Sequence, residues 1–259
     1  MHREKGYDVS IDTTQHNDIE TIVKISEIID AIRHLPWHEL ESDEVLCVAH
    51  AYYYFSIQFR ENLEIARSVW PDDLGLARLY EEECNTDNLS PWPGVADAGE
   101  KLNHDEFMRR LLALQPMDEA DRLDAAGIAY LTSVRRMDDI TRAQSIISYE
   151  DGGLSEVFQA ILQAPCWDGA AAQAFKFFLQ QHILFDENEN AGHGAMVRHI
   201  RADCDVTPLW TAFYEILADS VPRLLRQTVG EQRDEVKPPP LNVSDNIGQR
   251  SLTAAAAAI

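Results

Sequence analysis

The chain has 259 residues, 45% of them hydrophobic, enough for one well-buried domain followed by a tail. Its formal charge of −22 argues against nucleic acid or an anionic membrane surface as partner, since both need clustered Lys and Arg. The four cysteines, Cys47, Cys84, Cys166 and Cys204, form no CxxC pair, which points to free thiols in a reducing compartment rather than a disulfide framework or zinc ribbon.

The opening residues MHREKGYDVSIDTT carry no apolar signal segment, and no run of ~18 apolar residues occurs, so a cytoplasmic protein without a membrane span is expected. Residues 17–34 place Ile19, Ile22, Val23, Ile25, Ile28 and Ile29 at helical spacing. Residues 41–69 predict a long helix bearing His50 and the aromatic cluster Tyr52, Tyr53, Tyr54, Phe55 and Phe59. Asp72 and Asp73, after Pro71, offer caps for a helix running to about Glu83. A turn-rich insertion over 85–99 contains Pro91, Pro93 and Gly94. Helical patterns resume at about 100–115, 119–135, 137–149, 154–164 and 169–190, and a last helix is expected over 206–229. From about Glu231 the chain, with Pro238-Pro239-Pro240 and a run of alanines, reads as an extended or disordered tail behind a single domain over 1–230. No segment alternates with period 2 in β-branched residues, so the expected fold is an all-α bundle of about seven to nine helices.

Chemistry concentrates in the stretch His182-Ile-Leu-Phe-Asp186-Glu-Asn-Glu-Asn-Ala-Gly-His193-Gly194. His182 and Asp186, four apart, share one helix face, and a helix continued to His193 would put all three side chains on it. Three further positions fit. Glu83 extends the stripe Leu76, Leu79, Tyr80, while Glu81 and Glu82 point elsewhere. His104 shares a face with Phe107, Met108 and Leu111, and Glu150 ends an apolar helix before Gly152-Gly153, which read as a helix stop. Taken singly, each also reads plainly: a frayed helix end, a hydrogen-bonded core histidine, an acidic loop. Together they supply three histidines and three carboxylates, a donor set that suits iron or manganese and lacks the thiolates of structural zinc. His199, beside Arg198 and Arg201, reads as surface.

The order of these residues resembles the haem-oxygenase-like diiron oxidases and oxygenases, a superfamily that also holds thiaminase II and pyrroloquinoline quinone synthase C. The likeness spans roughly residues 45–225. It is carried by Glu82-Glu83, Asn103-His104-Asp-Glu-Phe107, Tyr149-Glu150 ahead of Val157-Phe158, and His182…Asp186…His193-Gly194. It implies a haem-oxygenase-like bundle with two Fe(II) per chain, manganese being the alternative, and O2 as co-substrate. Glu83 and His104 would serve one metal with Glu150 as a bridge, and His182, Asp186 and His193 would complete the pair. The substrate would be an amino acid or amine, undergoing N-oxygenation or oxidative C–C or C–N cleavage in specialised metabolism, with an external reductant and a homodimeric enzyme. Two departures stand out. The gap from Glu83 to His104 is longer than usual, and Glu189 occupies the position where the last histidine normally falls, so either Glu189 or a displaced His193 is the sixth ligand. The rival readings are a metal-independent enzyme resembling thiaminase II or pyrroloquinoline quinone synthase C, with Cys84 or Cys166 as its nucleophile, and a non-catalytic helical interaction protein. An apolar substrate pocket would draw on Tyr52, Phe55, Phe59, Phe158 and Phe178.

Overall fold

Helix α2 (Ser42–Val69) buries residues around nearly its whole circumference, from Val45 through Ala66. A helix that is apolar on every side belongs in the interior with other helices packed round it. Its 28 residues span about 42 Å. Glu41 and Glu44 cap its start reciprocally, the Glu44 carboxylate accepting from the Glu41 N–H at 2.9 Å.

The computed structural model describes residues 13–186, 192–200 and 203–224. Around α2 pack α3 (Leu74–Cys84), α4 (His104–Leu112), α5 (Ala120–Val134), α6 (Asp139–Ser148), α8 (Ala170–Asp186) and α10 (Thr207–Ser220). Helix α1 (Thr13–Arg33) lies on α10 and on α7 (Leu154–Ile161). The short α9 (His193–Val197) sits against α3 and against the turn that joins α6 to α7. The expected all-α bundle is therefore what forms, and among the described residues no strand accompanies it, only two isolated bridges. No described helix is long and apolar enough to cross a membrane. The expected tail from Glu231, and the last part of the 206–229 helix, fall outside the described residues.

Two local expectations change. Gly152-Gly153 do not stop the helix: residues Tyr149–Gly153 form a π-helical turn that runs straight into α7, closed by the Leu154 N–H on the Tyr149 carbonyl. The helix over 169–190 does not carry through to His193 either. The described part of α8 reaches Asp186; Gly192 is extended, and His193 opens a separate helix.

The aromatic centre of the bundle adjoins the histidine cluster. Tyr52 meets Phe158 and Phe178 edge-on at 5.6 and 5.4 Å between centroids, and Phe55 stacks on Phe213 at 3.9 Å. Offset and edge contacts of this kind hold rings in fixed orientation.

Candidate metal centre

Helix α3 brings in Glu83. Asp73 caps it by accepting the Leu76 N–H at 2.9 Å, and Leu76, Leu79 and Glu83 are its buried residues. Glu81 is exposed, as the stripe predicts. Glu82 is only half-buried; it takes the Arg78 guanidinium at 2.7 Å, yet its other oxygen lies 3.6 Å from His193 Nε2. Sequence reading turned Glu82 away from the site and so missed this contact.

Helix α4 brings in His104 as its first residue, capped by Asn103, whose side-chain carbonyl accepts the Glu106 N–H at 2.8 Å. The long gap after Glu83 is closed by its own neck. Thr86 and Leu102 pair as an antiparallel bridge, with Leu102 N–H on the Thr86 carbonyl at 3.0 Å. This fixes the chain three residues beyond Glu83 and two before His104. Between these points Leu89, Val95 and Ala96 are buried and Trp92 stacks on Phe177 of α8 at 4.6 Å.

The π turn brings in Glu150. Widening one turn by a residue redirects a side chain that a regular helix would aim elsewhere, and such turns recur at functional sites. Helix α9 brings in His193 and is seated by two close backbone approaches. A Cβ on Gly194 would lie 2.7 Å from the Glu150 carbonyl oxygen, and one on Gly75 of α3 would lie 2.0 Å from the Met196 carbonyl oxygen. Only glycine allows helix and turn to meet so closely.

Helix α8 brings in His182. Its Nδ1 lies 2.7 Å from the Phe178 carbonyl. A carbonyl only accepts, so Nδ1 carries the proton and the neutral ring keeps its lone pair on Nε2, which faces the cluster. Phe178 lies against the ring at 4.1 Å between centroids and Phe158 at 5.7 Å. Asp186 ends α8 one turn further on, but its side chain and the whole of Glu189 are outside the described part, so the sixth ligand is not located here.

These elements converge. Glu83 Oε2 is 2.6 Å from His104 Nδ1, and Glu83 Oε1 is 3.1 Å from His193 Nδ1. Glu150 Oε2 is 3.3 Å from the same His193 nitrogen, and His182 Nε2 is 3.2 Å from His104 Nδ1. All five residues are buried. Glu83, His104 and His182 each offer a ligand atom within 4.8 Å of the other two. Burial opposes charge on the Glu83 carboxyl, but His104 and His193 outweigh it and hold it down at about 2. Burial, then the neighbouring His104, push His182 down to about 3, so its imidazole is neutral, the form that binds metals. Burial works against charge on His193 too, but Glu83 and hydrogen bonds with Glu150 and Glu82 prevail and raise it well above the ordinary histidine range.

A small cavity of about 20 Å³, room for little more than a water molecule, opens on this cluster. Tyr52 and Phe59 line it, as expected, whereas Phe55, Phe158 and Phe178 are fully buried packing residues away from its wall. Ser56, Arg60, Asp105 and Leu154 also line it and no sequence signal marked them. Cys84 lines it as well, but burial and then the adjacent Glu83 push its thiol far up, opposite to what a nucleophile needs. His50 and His199 have partners elsewhere: His50 Nε2 is 2.8 Å from Asp124, and His199 is a surface residue 2.6 Å from Asp73. No protein-family model matches the chain, and no curated protein or solved structure is similar enough to it to count as a match.

Proposed function

We propose that the chain is a non-haem diiron enzyme that uses O2 to oxidise a small molecule, in the manner of the haem-oxygenase-like diiron oxidases and oxygenases. One observation carries this reading: five of the six side chains expected as ligands, drawn from four helices and a π turn, are buried and joined by contacts of 2.6 to 3.3 Å, and three of them, Glu83, His104 and His182, each offer a ligand atom within 4.8 Å of the others.

The donor set supports a metal over a purely ionic cluster. Each buried charge costs several kcal/mol, and an ion network offsets that only when every group is satisfied. Here the buried Oε1 of Glu83, which faces the cluster, makes no hydrogen bond. Ligand atoms round one first-row cation stand ~3 Å apart, given metal–ligand distances of ~2.0–2.2 Å. The spacings of 2.6 to 3.3 Å in the cluster match that. The carbonyl of Phe178 sets the tautomer of His182 for ligation, the usual arrangement behind a metal-bound histidine. Nitrogen and carboxylate donors without a thiolate favour iron or manganese.

In this reading Glu83, which reaches both His104 and His193, would be shared between the two cations, a role the sequence resemblance gave to Glu150. His104 and His182 would serve one cation, and His193 and Glu150 the other. Bound iron supplies the redox capacity for reducing O2. The chain's own part is to fix the ligands and to keep the aromatic wall of Phe158 and Phe178 closed over His182. An amino acid or amine is the substrate class that the resemblance implies. Anaerobic Fe(II) loading should give two irons per chain by mass spectrometry, and admitting O2 should then consume it. A protein that takes up no metal would overturn the reading.

A further inference from the structure

The three glutamates near the end of α3 face three ways. Glu81 is exposed, and its carboxylate accepts the Asn85 side-chain N–H at 3.1 Å. Glu83 enters the cluster with both oxygens. Glu82 lies between the two. Its Oε1 takes the exposed Arg78 guanidinium at 2.7 Å. Its Oε2 is buried and has one partner among the described residues, His193 Nε2, 3.6 Å away. A carboxylate oxygen withdrawn from water needs a donor, and a shift of a few tenths of an ångström would make this contact a hydrogen bond.

His193 shows its two nitrogens to different neighbours. Nδ1 faces the cluster, 3.1 Å from Glu83 and 3.3 Å from Glu150, while Nε2 faces Glu82. A histidine that ligates through Nδ1 keeps its proton on Nε2, and an acceptor behind the ring fixes both tautomer and ring plane. His182 shows the converse arrangement, with Nδ1 on the Phe178 carbonyl and Nε2 toward the cluster. The need for such an anchor is greater at His193. It is the first residue of a five-residue helix whose cap, Gly192, has no side chain to hold it. Phe185 lies against the imidazole at 4.4 Å between centroids, but a ring contact does not choose which nitrogen keeps the proton.

We propose that Glu82 is a positioning residue for the metal centre: its Oε2 accepts the Nε2–H of His193 and keeps Nδ1 turned toward Glu83 and Glu150, while Arg78 steadies the other carboxylate oxygen. The proposal rests on the diiron reading, in which His193 is a ligand, and it adds a residue that stands behind a ligand without touching a cation.

The test is anaerobic titration of the full chain with Co(II), whose visible absorption reports ligand type and geometry, in competition with a chromophoric chelator. Glu82→Ala should weaken one of the two Co(II) binding steps roughly tenfold to a hundredfold and change its absorption, leaving the other step unmoved. Glu82→Gln, which keeps a carbonyl acceptor without the charge, should fall between. Arg78→Ala, which removes the surface ion pair and spares Oε2, should stay near the wild type. In a His193→Ala background Glu82→Ala should cost nothing further, because its effect passes through that ring. Melting temperatures on the same samples show that each variant is folded. Three results would each overturn the proposal: Co(II) affinity undiminished in Glu82→Ala, equal losses in Arg78→Ala and Glu82→Ala, or a further loss in the His193→Ala background, which would make Glu82 a ligand itself. A wild-type chain that takes up no metal would instead overturn the diiron reading, and the role of Glu82 with it.

Discussion

Glu83 Oε1 and His193 Nδ1 stand 3.1 Å apart, tying the last turn of α3 to the first residue of α9. The same two helices meet closely at Gly75, where a Cβ would lie 2.0 Å from the Met196 carbonyl oxygen. The Glu83–His193 contact is also the one most altered if a cation is present, because His193 must then give up its proton.

Replacing a ligand should empty the centre without unfolding the bundle. His182→Ala removes an inward Nε2 from a helix whose other buried residues remain, so the fold should lose only ~1–3 kcal/mol. Metal per chain, measured by plasma mass spectrometry, should fall to one or none. An undiminished metal content would show that His182 is a packing residue.

Metal uptake should release protons and weaken in acid. His193 is held charged above the ordinary histidine range by Glu83 and its hydrogen bonds, despite burial, so a cation must displace its proton. His182, at about 3, has none to lose. Affinity should therefore climb with pH until the folded value of His193 is passed, with proton release visible to a pH indicator in weak buffer.

The metal-free protein should have an acid transition set by Glu83. Its carboxyl is lowered from 4.5 to about 2, so the stability it contributes is complete above about 4.5 and is lost as pH falls toward 2. Urea midpoints at pH 5, 4 and 3 should decline more steeply for the wild type than for Glu83→Gln. Parallel declines would mean that Glu83 is not coupled to the histidines.

Gly194→Ala and Gly75→Ala should each loosen α9. The added methyl would meet backbone oxygens, at 2.7 and 2.0 Å, that cannot swing aside like a flexible side chain. Overpacking of this kind costs ~1–3 kcal/mol. Thermal melting should fall, and metal affinity should fall with it because His193 moves.

Leu102→Pro should separate Glu83 from His104. Proline removes the N–H that bonds the Thr86 carbonyl at 3.0 Å. Metal binding should weaken more than melting temperature falls. Cys84→Ala, by contrast, should leave metal content and turnover intact, since its thiol is driven away from ionisation; lost turnover with metal retained would revive a thiol mechanism.

Much of this was legible in the sequence. Periodicity alone placed the helices, and the stripes of α3 and α4 put Glu83 and His104 inward because a side chain three or four residues past a buried leucine shares its face. The pieces that were not legible depend on tertiary contact. Gly152-Gly153 read as a stop because their use in a π turn follows from packing against α9 and α10, not from local propensity. Placing His193 on a separate helix needed Gly75 and Gly194 to be seen facing their partners. Arg60 and Asp105 lay unnoticed because a polar residue on an aromatic helix carries no sign of which cavity it borders.

The Thr86–Leu102 pinch has an evolutionary corollary. With the loop clamped at its base, residues may be gained or lost beyond the clamp while the two flanking ligands keep their places. Counting residues between such ligands then measures the history of the loop and says nothing of the centre. A search for related chains should be keyed to the distance of each ligand from the clamp, and to the two bridged residues that form it, rather than to the interval between glutamate and histidine.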